Sequence, residues 1–130
     1  MVEIRVYYED TDPAGIVYHA NYLRYMERAR TEYLRERGIE VAEWAKKGLF
    51  FLVVSAELKY RAPAYYNDLL AVEVEVGALS RATLTFIHRI RRKAEEELLC
   101  EGTIVLVCAG SDLKVRAVPQ PLRSLFIRTV

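Results

Sequence analysis

Asp10, Asp12, Gly15 and His19 crowd into one short stretch, Tyr8-Glu9-Asp10-Thr11-Asp12-Pro13-Ala14-Gly15-Ile16-Val17-Tyr18-His19-Ala20-Asn21-Tyr22. An apolar strand pattern precedes it and a long amphipathic pattern follows. A strand-to-helix loop can hold a carboxylate beside the positive end of a helix, where backbone N–H groups have no partner of their own. A charged carboxylate is stabilised there and suits work as a base or nucleophile near neutral pH. Together these groups have the equipment to attack an activated acyl group and hold the oxyanion that forms.

Each residue also has a plainer reading. Asp12 could close an Asx-turn, and on spacing alone that role and the catalytic one stand level. Asp10, two residues away, could raise the Asp12 pKa by like-charge repulsion; bonding to loop N–H groups is the favoured role. Gly15 fits a backbone shape that a Cβ forbids, or a close approach of the substrate carbonyl. Tyr18 is a candidate for lining an acyl pocket, against simple packing. His19 sits at the helix start, where a capping-region surface histidine is equally ordinary. Glu27, eight residues further, is a rival acid, with an ion pair to Arg30 at i+3 as the preferred alternative. Among the basic residues Arg61, Arg81, Arg89, Arg91, Arg92 and Lys93, a planar guanidinium suits phosphate, and Arg61 and Arg89 are taken as substrate contacts. His88 reads as an ordinary strand histidine. Ser55 lacks a Gly-x-Ser-x-Gly elbow, which disfavours a serine nucleophile.

The elements that must position these residues follow from periodicity. Val2, Ile4 and Val6 alternate with Glu3 and Arg5, predicting a strand over Val2 to Tyr8. Tyr22, Met26, Ala29 and Tyr33 recur at helical spacing, widened by Leu23, Arg30 and Leu34, predicting a helix over Tyr22 to Arg37. Asn21 is its expected N-cap and Gly38 its C′ stop. A short helix over Val41 to Lys47 should end at Gly48. The period then becomes strand-like: Phe50 to Tyr60, Leu69 to Leu79, Thr83 to Arg92 and Leu98 to Ala109, with Lys93 to Glu97 as a charged hairpin turn. Ile104-Val105-Leu106-Val107 is apolar on both faces and predicts a strand covered on both sides. Lys114 to Val118 reads as a short edge strand and Pro121 to Arg128 as a short helix or loop. The simplest solution is an α+β fold, a curved antiparallel sheet wrapped around one long central helix. Sheets joined edge to edge in a homodimer would extend it.

The totals agree. The 130 residues are 52% hydrophobic and 28% charged, which fits one globular domain over 1–130. A formal net charge of +1 gives no reason to expect nucleic acid. The first six residues hold no apolar run of a secretory signal, and no stretch approaches the length of a membrane span. Cys100 and Cys108 fall on one predicted strand, about 26 Å apart at ~3.3 Å per residue. That is too far for a disulfide, so two thiols in a reducing cytoplasm are expected. With no Cys-x-x-Cys and only His19 and His88, no metal site is expected.

Asp10-Thr11-Asp12-x-x-Gly15-x-x-Tyr18-His19-x-x-Tyr22, followed by Met26-Glu27-x-Ala29-Arg30, resembles the signature of the hotdog-fold acyl-CoA thioesterases of the 4-hydroxybenzoyl-CoA thioesterase class, which includes small enzymes associated with the Tol–Pal system. Leu58-Lys59-Tyr60-Arg61-Ala62-Pro63-Ala64 and Arg116-x-Val118-Pro119 resemble later segments of that family, so the likeness spans nearly the whole chain. Pro13 stands where small residues are more usual; it stiffens the loop without disturbing the carboxylate. The resemblance implies a hotdog fold and hydrolysis of acyl-CoA. Asp12 would be nucleophile or general base, and the backbone N–H of His19 would face the oxyanion. It also implies a pocket between subunits of a homodimer, with a homotetramer expected, and no cofactor beyond the coenzyme A of the substrate. A dehydratase or hydratase using His19 and Glu27, or a non-catalytic acyl-binding scaffold, are the alternatives.

Overall fold

A computed structural model describes residues 1–127, with no side-chain description of residue 127. Its elements are β1 (Val2–Arg5), α1 (Asn21–Glu36), α2 (Val41–Lys46), β2 (Phe50–Tyr60), β3 (Leu69–Leu79), β4 (Thr83–Arg92), β5 (Glu97–Ala109) and α3 (Gln120–Ile127). Arg128, the last residue of the expected C-terminal segment, lies outside the described residues. The five strands form one sheet in the order β1-β3-β4-β5-β2, antiparallel at every pairing.

Alternation in the sequence becomes the two faces of this sheet. Leu70 and Val72 of β3, Leu84, Phe86 and Ile90 of β4, and Ile104 and Leu106 of β5 point inward and are buried. Tyr22, Tyr25, Met26 and Ala29 of α1 cluster with Leu70, Val72, Ile90 and Ile104; Tyr33, Leu34 and the α3 residues Leu122 and Phe126 cluster with Leu84, Phe86 and Leu106. Gly102 permits the closest approach: a Cβ there would lie 2.6 Å from the Met26 Sδ and Cε atoms. The outer face carries charge. Glu73 pairs with Arg91 at 2.7 Å and Glu75 with Arg89 at 3.3 Å, both diagonally across the β3–β4 ladder.

Several expectations need correction. β1 stops at Arg5, short of Tyr8, and Tyr8–Asp10 forms a 3-10 turn. The reason is local: the Asp10 carboxylate accepts the Tyr7 N–H at 2.9 Å, offering the backbone an alternative to the sheet ladder. Asn21 is the first residue of α1, and its amide reaches back to Asp10 instead of capping the helix. Leu23 is 38% exposed, outside the buried stripe. Lys114 to Val118 makes one bridge, Ala109 to Val115, and no strand. The apolar run on β5 is as expected: Ile104 and Leu106 are buried and Val105 and Val107 half-buried, so the second sheet face is partly covered. The C-terminal stop of α1 is as expected: Gly38 has φ +78° and Ile39 N–H closes onto the Leu34 carbonyl at 2.9 Å. Cys100 and Cys108 are both free and buried on β5.

β2 differs from the other long strands. It is an edge, and its register with β5 shifts between Val53 and Ser55. Val53 and Val54 are 53% and 59% exposed, an apolar stretch beside a free ladder.

Candidate active site

Two loops build the site. Residues 11–20 run from the 3-10 turn to α1, and residues 61–68 run from β2 to β3. Val17 N–H donates to the Ala64 carbonyl at 2.9 Å, and Ala64 N–H donates to the Tyr22 hydroxyl at 3.2 Å. A bridge joins Ile16 and Tyr65. Arg92 anchors the second loop from β4, donating to Asp68 at 3.0 Å and to the Pro63 carbonyl at 2.7 Å. Asp10 anchors the first, through Tyr7 N–H and the Asn21 amide, while its carbonyl takes the Tyr18 N–H at 2.9 Å. Asp10 therefore bonds loop donors, as favoured from the sequence.

Within this frame the Asp12 Oδ1 accepts the Ala14 N–H at 2.9 Å, and the Asp12 N–H and carbonyl bond Ile16 and Gly15. The Asx-turn and a chemically active carboxylate are thus compatible. One carboxylate oxygen shapes the loop, and the half-buried side chain still lines a cavity of about 450 Å³. Its other walls include Ile16, Val17, His19, Tyr22, Tyr60 and Arg61. A carboxylate, a histidine and a guanidinium meet there on an otherwise apolar and aromatic wall, the composition of a small-molecule site.

His19 is exposed and precedes the first residue of α1. Its N–H makes no hydrogen bond among the described residues. The Tyr18 carbonyl of the same peptide accepts Asn21 N–H at 2.8 Å. In a trans peptide the N–H and C=O point in opposite directions, so the His19 N–H is aimed back out of the helix start. Gly15 has φ +81° with nothing within 4 Å of a would-be Cβ. Its requirement is conformational, and it does not line the cavity. Tyr18 is 47% exposed, its ring tilted at 52° to the His19 ring with centroids 4.5 Å apart, and it also lies outside the cavity wall.

Arg61 faces the cavity while donating through Nε and a terminal nitrogen to one Glu101 oxygen, at 3.1 and 2.8 Å. That contact holds the Glu101 carboxyl below the usual range, helped by Arg89 and Lys59. Arg89 itself lines a separate groove of about 220 Å³ on the outer sheet face with Lys59 and Glu101. Glu27 lines neither; it borders a charged cleft of about 480 Å³ between β1 and α1. Within one chain Glu27 and His19 are therefore not brought together. His88, read as ordinary, is fully buried and bonded to Arg30. Tyr60, like Ile16, Val17, Ala62 and Pro63, is a wall residue that sequence reasoning did not assign to the site. Its one signal was an aromatic directly before Arg61 at a strand end, and its contact to His19 spans 41 residues of chain. Among the described residues no group of three or more His, Cys, Asp or Glu is placed to hold a metal ion.

A five-stranded curved antiparallel sheet packed on one long helix, with a carboxylate loop at that helix's start, defines the α+β hotdog class. Residues 6–126 match the model of the thioesterase-like superfamily. The chain is 38% identical over 124 residues to the acyl-CoA thioester hydrolase YbgC of Escherichia coli, covering 95% of this chain and 92% of that one. It superposes on a hypothetical protein of Thermus thermophilus with a TM-score of 0.93, at 30% identity over 99% of this chain and 98% of the other. A 1,4-dihydroxy-2-naphthoyl-CoA thioesterase of Synechocystis shares the fold at a TM-score of 0.91 and 24% identity, over 97% and 93% of the two chains. The chain belongs to the thioesterase-like superfamily, and thioester hydrolysis is its chemistry. No helix among the described residues is long and apolar enough to cross a membrane.

Proposed function

We propose that this chain hydrolyses acyl-CoA thioesters to a carboxylic acid and free coenzyme A, with Asp12 as nucleophile or general base and the His19 N–H as oxyanion donor. The observation that carries this reading is the shared cavity: a carboxylate held in shape by Ala14 N–H, beside a residue whose own N–H is unpaired. A thioester carbonyl gains little resonance from sulfur, and a thiolate leaves readily. One positioned carboxylate and a backbone donor then suffice. As a base, Asp12 takes a proton from water while the water oxygen bonds the carbonyl carbon. The carbonyl oxygen gains charge facing the His19 N–H. The C–S bond then breaks, and the sulfur leaves as thiolate and is protonated. As a nucleophile, Asp12 forms an acyl anhydride that water opens, with the same products.

Arg61, on the cavity wall, is the first candidate for a coenzyme A phosphate, and Arg89 extends the basic surface on the outer face. Gly15 serves by shaping the loop, and Tyr18 by flanking His19. The reading assigns no metal or redox cofactor, and coenzyme A enters only as part of the substrate. The exposed β2 edge with Val53 and Val54 supports a homodimer that extends the sheet, with a homotetramer built from it. The 1–130 chain acts as one domain in the cytoplasm. Thiol release from a panel of acyl-CoAs, followed with a thiol-reactive dye, tests the activity. Steady release that Asp12→Asn abolishes is expected. Tight acyl-CoA binding without release would instead identify a scaffold.

A further inference from the structure

The Tyr60 hydroxyl donates to the His19 carbonyl at 3.0 Å, joining the end of β2 to the start of α1. We propose that Tyr60 is a positioning residue for thioester hydrolysis, holding residue 19 so that its amide meets the oxyanion. The inference rests on the oxyanion role of the His19 N–H proposed above.

Residue 19 is bracketed by two hydrogen bonds, one on each of its peptides. The peptide before it is fixed by Asn21 N–H on the Tyr18 carbonyl. The peptide after it is fixed by Tyr60. A carbonyl at a helix start ordinarily accepts an N–H from the first turn. The His19 carbonyl takes the side-chain hydroxyl of another element, while Leu23 N–H goes to the Ala20 carbonyl at 3.2 Å. The rotation of residue 19 is therefore set from the sheet and not from the helix alone. The tyrosine ring is itself held edge-on to Tyr22, with centroids 5.4 Å apart at 67°, and the Tyr22 hydroxyl is bonded by Ala64 N–H. The clamp thus runs through a braced side chain.

This arrangement separates two functions of one side chain. The ring lines the cavity wall and packs on Tyr22, while the hydroxyl fixes the peptide after residue 19 and so shares with Asn21 N–H in setting its angle. Oxyanion donors act only when aimed at where charge develops, and small misplacements are costly. Loss of the hydroxyl should leave substrate binding and folding nearly untouched and slow the chemical step.

Tyr60→Phe is the test. Expected is a fall in kcat of about 10- to 100-fold with KM within about twofold and a thermal midpoint lowered by no more than about 5 °C, the effect of one lost hydrogen bond. The second readout is infrared. An acyl-CoA labelled with 13C at the thioester carbonyl is bound to Asp12→Asn, and its carbonyl stretch is compared with that in Asp12→Asn/Tyr60→Phe. The stretch should move to lower frequency in the first and return toward the solution value in the second. An equal shift in both overturns the positioning role, even if kcat falls. Absence of any shift in Asp12→Asn alone overturns the oxyanion reading and this inference with it.

Discussion

Arg30 donates to the His88 Nε2 at 3.2 Å in the interior, where Arg30 is 8% exposed and His88 fully buried. The other ring nitrogen, Nδ1, donates to the Glu73 carbonyl at 3.1 Å. Both contacts fit one neutral tautomer. Burial first, and the neighbouring Arg30 second, push the His88 pKa down to about 4. The unfolded chain, with histidine near 6.5, binds the extra proton first as pH falls. Stability from this site is complete above about pH 6.5 and drains away as pH drops toward 4, by about 3 kcal/mol in all. Urea unfolding at pH 7.5 and pH 4.5 checks it: the difference between the two should shrink in His88→Gln, which can keep both contacts without titrating.

Asp12→Asn should keep the loop and lose the chemistry. The asparagine Oδ1 can accept the Ala14 N–H as the aspartate does, so the thermal midpoint should hold. Turnover should fall by about 10²- to 10⁴-fold. Asp12→Ala removes the turn as well and should also cost about 1 kcal/mol of stability. Thiol release and thermal melts on the two variants separate these effects.

Gly15→Ala should be destabilising although the added methyl meets nothing within 4 Å. The cost is the left-handed backbone at φ +81°, about 1–2 kcal/mol for an L-residue with a Cβ. Gly15→Asn should recover part of it, because asparagine tolerates that region. Denaturant midpoints of the two variants give the comparison.

Gly102→Ala should cost about 1–3 kcal/mol by forcing the Met26 thioether from its place in a filled core. The same change in a Met26→Ala background should cost much less, because the colliding atoms are gone. A double-mutant cycle in urea measures the difference.

The strands were legible where one face is buried and the other wet: β3 and β4 match the alternation of Val72, Val74 and Val76 and of Leu84, Phe86, His88 and Ile90. The helix stop at Gly38 was legible because only a left-handed residue closes that turn. What escaped was set by side chains competing with the backbone, or by contacts distant in sequence. Asp10 captures Tyr7 N–H and truncates β1. Asn21 is drawn away from capping by the same carboxylate. In the site, the placing of Asp12 beside His19 on one cavity follows the motif, whereas Tyr60 enters through a fold-level meeting of β2 with α1 that no local pattern encodes. Arg89 departs from Arg61 because Arg89 sits within β4 on the outer sheet face, whereas Arg61 opens the loop after β2, with β5 between the two strands.

Cys100 and Cys108 are both sealed inside the sheet at 0% exposure, and burial pushes the Cys100 thiol up to about 12 and raises Cys108 as well. Neither presents a thiolate to a reagent in solution. An assay that counts liberated sulfhydryls therefore starts from a blank baseline, and each equivalent of colour reports product. The same dye, added without substrate under rising denaturant, becomes a gauge of how often the sheet opens.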